Sequence, residues 1–505
     1  MSGVFARRDV TIAAIGLLFA IQAVIRFRSP IAADVAWYLY AGGRLLDGAV
    51  LYEDVVEVNP PLGVWMAVPI TVIAQALGVG ASTVIKAVLL GLTALSVGLT
   101  ARFIGAAREI SPAARHVFLI LVAGLMLFLP ASDFGQREHL LILLATPWIF
   151  LRWNRLVGRD ISWMTAIPVG LLAALGLWLK PQFFFVVVSI EVTLLLTSRD
   201  PKITLRAENL ALIVFSALYP AIVWTLWSST KIAQIALLGS IAFVPFYGVG
   251  PEDFALRLVL PLVLAAAAIA SFGLLTERLL NLRAILFVVG ATMIGAYVVQ
   301  AGYGYQAIPA LFYLSLAAGL GLCRLMAGDV ALSDGWQGLS AAGAAIAIGA
   351  VFVGAGSQFA ADHGKPLARV IAAEAPHART IFIASTRVSD SFPLVGDRQL
   401  IWASRYPSQW FSPYIATTLD AEGEAKSYLA RELLKVIVTD LIAYQPDIVF
   451  VDESAERPHY RNEPLDHIAF WQQDERFRAF WDNYEQRGMQ GDFGVYVRSE
   501  PPPDG

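Results

Sequence analysis

The chain has 505 residues, of which 57% are hydrophobic and only 15% charged, with a net charge of −3 and a mean hydropathy of +0.62. A soluble protein would carry about a quarter charged residues, and a nucleic-acid partner would call for a basic face that this near-neutral chain does not offer. Composition therefore excludes an ordinary soluble globule and a nucleic-acid binder.

The charges are clustered, and the apolar runs between them reach about 17–22 residues, the length that crosses a hydrocarbon core as a helix. In chain order the predicted spans are 10–28, 81–103, 113–131, 139–154, 163–180, 182–198, 209–228, 254–276, 284–300, 307–326 and 336–356. Arg7 and Arg8 precede the first span, and small residues near Ala32-Ala33 imitate a signal-peptide cleavage site. Arg26 and Arg28 directly follow the apolar stretch, which favours a retained first helix. Cys323, the single cysteine, lies within an apolar run and has no thiol to pair with, so core packing is its expected role.

Segment 62–78 follows Pro60-Pro61 and contains Pro69. Left out of the count as an interfacial helix, it lets the basic loops alternate under the positive-inside rule. Arg102, Arg108 and Arg115 then face the cytoplasm, as do Arg152, Arg155 and Arg159; Arg199, Lys202 and Arg206; Arg278 and Arg283; and Arg324. Counted as a span, it would send all of them outside. The interfacial reading implies a multi-pass protein of the plasma (bacterial inner) membrane with a cytoplasmic N-terminus. The outer segments are then 29–80, 131–139, 229–253 and 301–306, and the tail is extracytoplasmic.

The expected fold class is an all-α polytopic membrane domain over residues 1–360, followed by a small α/β domain over 361–505. In the tail, β-type runs at Thr380–Ala384, Leu400–Ala403, Asp447–Val451 and Val495–Val497 alternate with helical stretches at 422–441 and 473–487. The terminal Pro501-Pro502-Pro503-Asp504-Gly505 is expected to be disordered.

The first outer loop holds the most chemistry. Asp34 opens an amphipathic aromatic helix, followed by Tyr38, Ala41, Leu45-Leu46 and Gly48, then Tyr52-x-Asp54, Glu57, Asn59 and Pro60-Pro61-Leu62. Taken alone, Asp34 reads equally as a helix N-cap and the aromatics as an interfacial belt. The second outer segment is Asp133-Phe134-Gly135-Gln136-Arg137-Glu138-His139, a set of charges that is costly at a membrane mouth unless solvated, paired or in use. Lys180 sits at a tight outer turn, either to snorkel or to meet a lipid phosphate. Glu191, inside a span, reads as an interhelical hydrogen-bonding group.

The first-loop pattern resembles that of GT-C type glycosyltransferases, the polytopic enzymes that use polyprenyl-phosphate sugars, with protein-mannosyltransferase and lipid A aminoarabinose-transferase relatives. The topological likeness covers most of the chain, while the specific motifs occupy 34–62 and 133–139. The resemblance implies that Asp34 is the catalytic carboxylate. It implies substrate contacts from Tyr38, Asp54, Glu57, Asn59, Arg137, Lys180, Tyr303, Tyr305 and Gln306. Asp133, Glu138 and His139 become metal candidates, with Mg²⁺ or Mn²⁺ as the only cofactor considered, although one His beside carboxylates is a weak signal. Tyr303-Gly304-Tyr305-Gln306-Ala307-Ile308-Pro309 resembles a Tyr-His-x-x-Pro sequence of some relatives, with Gln306 where the His would stand. This departure removes proton transfer at that position and leaves hydrogen bonding.

The implied partners are a polyprenyl-phosphate-linked sugar, membrane lipids, and a glycan, lipid or protein acceptor. Segments 62–78 and 232–246 would admit the prenyl chain. A transporter or flippase of lipid-linked saccharides is the rival from another class. It would need a polar path and often paired repeats, and the chain shows no internal repeat. A scaffold with a degenerate site is the third reading.

Overall fold

The computed structural model describes residues 8–105, 110–226, 234–236, 238–271, 277–300, 302–330, 335–357, 365–420, 423–454, 463 and 465–499. Arg7, Arg108, residues 229–233, the boundary at Ala361 and the terminal Pro501–Gly505 lie outside this set, as does the side chain of Arg278.

Each predicted span is met by a helix: Arg8–Arg28, Ala81–Gly105, Pro112–Phe128, Arg137–Leu156, Trp163–Leu177, Phe184–Ser198, Ala207–Leu226, Pro251–Ala270, Glu277–Val299, Ile308–Ala327 and Gly335–Ser357. Among the described residues, 8 helices are long and apolar enough to cross a membrane by length and composition. Pro112–Phe128 and Trp163–Leu177 are shorter. Arg137–Leu156 is of spanning length but carries Arg137, Glu138, Arg152 and Arg155. The spans therefore differ in kind. Outer helices present bare aliphatic side chains such as Leu196 (74% exposed) and Val353 (76% exposed), a surface that suits lipid rather than water.

The chain forms two compact units. The first comprises Met1–Ile31, Thr83–Leu226 and Gly248–Ala361. Its hub is Ile308–Ala327, which packs on Pro112–Phe128, Glu277–Val299, Pro251–Ala270 and Gly335–Ser357 and buries most of its residues, Cys323 and Tyr313 among them. Arg137–Leu156 is also enclosed and packs on Trp163–Leu177. Arg152, read above as a loop cation, is fully buried. Its Nε and Nη2 donate to the two Glu191 carboxylate oxygens at 2.8 Å, and its Nη1 donates to Glu208 Oε1 at 2.8 Å. Arg155 also donates to Glu208. Glu191 thus makes the expected interhelical bond, and Arg152 acts as its counter-ion rather than as a topogenic charge.

The second unit gathers three distant stretches: Ala32–Ser82, Trp227–Tyr247 and Asp362–Gly505. Its sheet runs β2-β1-β3-β5-β4, with β1 Thr380–Ala384, β2 Ile401–Trp402, β3 Ile448–Asp452, β4 Tyr484–Gln490 and β5 Phe493–Arg498. The β2-β1-β3 half is parallel, in the register Ile381↔Trp402 and Ile381↔Ile448, and β5 and β4 add antiparallel. The parallel strands β1 and β3 are buried along nearly their whole length, as expected for strands covered on both faces. The helical stretch predicted at 473–487 is corrected. The helix is Glu475–Trp481, and residues from Tyr484 onward form the edge strand β4. Its solvent-facing polar side chains hide the strand period. It turns into β5 through Gly491 at φ 59° and carries a bulge between Gln486 and Gly488.

In the same unit, Ala33–Leu46 packs on Leu62–Leu77. A Cβ on Gly42 would lie 3.2 Å from the backbone of Ala67 and Val68, so the two helices approach as closely as glycine permits. The stretch Gly239–Phe246 brings Phe243 edge-on to Trp410, with ring centroids 5.2 Å apart, and Phe246 near Tyr414.

Candidate functional site

The first group of candidate residues lies in the second unit, on Ala33–Leu46 and the loop that follows it. Asp34 is half-buried and is the second residue of the helix; the N-cap position belongs to Ala32, which makes no side-chain cap bond. The N-cap reading of Asp34 is therefore corrected. Its carboxylate sits in the first turn, where the helix dipole favours a negative charge.

Trp37, one turn further on, donates from Nε1 to Glu57 Oε2 at 2.9 Å. Glu57 is buried, and its Oε1 accepts from the Asn59 backbone N–H at 2.8 Å and from Asn59 Nδ2 at 2.5 Å. Glu57 thus bridges Trp37 and Asn59 and holds the loop on the helix. Asp54 is exposed and accepts from the Val50 N–H at 2.9 Å, closing its own turn. Tyr38 is buried with its ring against Gly63, where a Cβ would lie 3.2 Å away.

Tyr40 and Arg44 lie one turn apart and were not singled out from the sequence. The Tyr40 hydroxyl accepts from the Trp402 backbone N–H at 3.1 Å, and Arg44 Nη2 donates to the Tyr444 hydroxyl at 3.0 Å. Burial raises the Tyr40 hydroxyl above the ordinary phenol range, so it stays protonated.

The second group lies in the first unit. Lys180, only 5% exposed, donates to Glu138 Oε1 at 2.5 Å and to Gln300 Oε1 at 3.3 Å, and its ammonium lies 5.1 Å from the Tyr305 ring centroid. A lysine buried at this level is not snorkelling. Glu138 is fully buried, and its Oε2 has no hydrogen-bond partner among the described residues. Gln300, the last polar residue of its span, is a partner that the sequence did not single out.

Two of the metal candidates, His139 and Asp133, have other partners. His139 accepts at Nδ1 from the Gly135 N–H at 2.9 Å, and its Nε2 lies 2.9 Å from the Met126 carbonyl, to which it donates in the matching tautomer. That leaves no ring lone pair for a cation. Asp133 interacts electrostatically with Arg26, whose guanidinium stacks 4.3 Å from the Phe134 ring centroid. Among the described residues no group of three or more His, Cys, Asp or Glu side chains is arranged to hold a metal ion. Asp133, Glu138 and His139 thus do not converge as a three-residue metal centre among the described residues.

Arg137 is buried beside Glu138 in sequence. Gln306 is buried, and its Oε1 accepts from the Tyr303 N–H at 3.0 Å in a capping box that starts Gly304–Ala307. Its carbonyl oxygen therefore caps the helix. Tyr303 and Tyr305 stack at 6.1 Å. Gly302, at φ 89°, precedes them; a Cβ there would come within 2.3 Å of Phe254, and its carbonyl accepts from the Tyr297 hydroxyl at 3.0 Å.

No protein-family model matches the chain, and no curated protein does. Among the solved structures similar to it are the following two. One is the arabinofuranosyltransferase AftD from Mycobacteria, at 13% identity and a TM-score of 0.46, covering 96% of this chain and 40% of that one. The other is the oligosaccharyltransferase of Archaeoglobus fulgidus in its apo form, at 11% identity and a TM-score of 0.48, covering 98% of this chain and 75% of that one. The chain thus spans well under half the length of the first, and likenesses at these scores carry no activity over to it.

Proposed function

We propose that the chain is an integral membrane glycosyltransferase that moves a sugar from a polyprenyl-phosphate donor to an extracytoplasmic glycan, lipid or protein acceptor, with inversion. The observation that carries this reading is the first-loop pattern, borne on one ordered helix with Asp34 in its first turn. Support for the sidedness comes from the second unit. The stretches that the charge rule puts outside at 29–80, in most of 229–253 and in the tail are largely the ones gathered there. The transporter reading loses ground because the intramembrane charges Arg152, Glu191 and Glu208 satisfy one another instead of lining a path.

In the proposed reaction Asp34 takes the proton of an acceptor hydroxyl. The freed oxygen attacks the anomeric carbon on the face opposite the phosphate, and the bond to the phosphate oxygen breaks through an oxocarbenium-like state. The electron pair leaves with polyprenyl phosphate. Cationic side chains are needed for the departing charge, and Arg137 and Lys180 are the proposed candidates for that role. No step is routed through a metal.

The test is turnover of the purified chain in proteoliposomes with a panel of hexosyl and pentosyl polyprenyl phosphates. Release of polyprenyl phosphate and a product of inverted anomeric configuration by NMR are expected. A retained configuration would contradict single displacement, and no turnover of any donor would overturn the reading.

A further inference from the structure

Within the second unit the tail grips the helix Ala33–Leu46 and the loop after it at three polar points. Trp402, on β2, donates its backbone N–H to the Tyr40 hydroxyl at 3.1 Å. Tyr444, the last residue of Tyr428–Tyr444, accepts from Arg44 at 3.0 Å. The Val56 N–H donates to the Arg405 carbonyl at 2.7 Å. Arg405 is itself fixed, donating from its backbone N–H to Asp440 Oδ2 at 3.0 Å and from Nη2 to Asp440 Oδ1 at 2.7 Å.

The apolar side of the grip is aromatic. Phe392 meets Trp37 edge-to-face at 5.4 Å, Tyr40 at 5.6 Å and Trp402 at 5.8 Å. These rings lie around the turn that follows Asp34, and Trp37 is three residues on from it, a spacing that puts both on one helix face. β2 is registered on β1, with Ile381 opposite Trp402, so the Trp402 N–H is held by the sheet rather than by a free loop. Hydrophobic burial alone would seat a helix here but would leave its rotation loosely set. Directional bonds at Tyr40 and Arg44, one turn apart, set both rotation and axial position.

We infer that the tail is a positioning clamp, in which Tyr40 and Arg44, held by Trp402, Tyr444 and Phe392, fix the orientation of the helix that presents Asp34. This inference rests on the reading of Asp34 as the base. A displacement of about 1 Å in a catalytic group costs on the order of 10²-fold, so partial loosening should fall on kcat. A packing role alone would instead lower the folded fraction and leave turnover per folded molecule unchanged.

The experiment uses the full chain in proteoliposomes with Tyr40→Phe, Tyr444→Phe and the double variant, which delete hydroxyls and keep the rings. Expected for Tyr40→Phe is a fall in kcat of roughly 10-fold with the donor KM unchanged, near-normal thermal stability, and faster amide exchange across residues 33–46; the double variant should lose more. Unchanged kcat in the double variant despite faster exchange would overturn the clamp. So would a loss that merely tracks the folded fraction. Asp34→Asn separates the two ideas. If Tyr40→Phe adds nothing in that background, the clamp acts through Asp34. If Asp34→Asn transfers normally, the base assignment fails, and the clamp stands or falls on whether Tyr40→Phe alone lowers kcat.

Discussion

Arg152 shows how far a single residue can depart from its sequence reading. In the chain it sits two positions before Asn154-Arg155, among basic residues that look like a cytoplasmic loop. In the fold it pairs with two glutamates, the partly buried Glu191 and the fully enclosed Glu208. Removing one member of a buried ion network leaves the others charged and unpaired, at a cost of about 3–5 kcal/mol. Arg152→Met should therefore lower stability by that order in reversible denaturation, and adding Glu191→Gln and Glu208→Gln should restore much of it. A single variant as stable as the parent would show that the network is not structural. Other residue readings shifted for the same reason. Glu57, Asn59, Gln306 and His139 were chosen for their chemistry, and the fold uses that chemistry on neighbouring backbone and side chains. No sequence pattern states whether a polar group is spent internally, because the partner is often distant, as Lys180 is from Glu138 and Gln300.

At the scale of elements the sequence is far more legible. Long apolar runs report helices directly, because a lipid-facing helix needs no alternation and tolerates no charge. The four strand runs with buried side chains were visible for the related reason that β-branched and aromatic residues cluster in them. The edge strand β4 was not, since Glu485, Gln486 and Arg487 face solvent and a polar run gives no period. The helix Ala33–Leu46 was legible as amphipathic, yet its burial on most sides was not. That burial requires both Leu62–Leu77 and the tail, which lie far apart in sequence.

For the whole molecule, the sequence suggested a cut near residue 360, whereas the compact units interleave the chain and give residues 32–82 to the same body as the tail. The proposed topology makes a direct prediction: a reporter fused after residue 356 should read extracytoplasmic, and one fused near Arg108 cytoplasmic. Reversal of both would invert the sidedness on which the chemistry depends. The central claim is tested most directly by the transfer rate of Asp34→Asn in proteoliposomes, measured alongside donor-lipid binding. Asn keeps the size of the side chain but cannot take the acceptor's proton, so transfer should fall on the order of 10²–10⁴-fold with binding nearly intact. Losing the charge from the first helical turn costs only about 0.3–1 kcal/mol, too little to abolish activity by unfolding. A variant that transfers sugar at the parent rate would contradict the account.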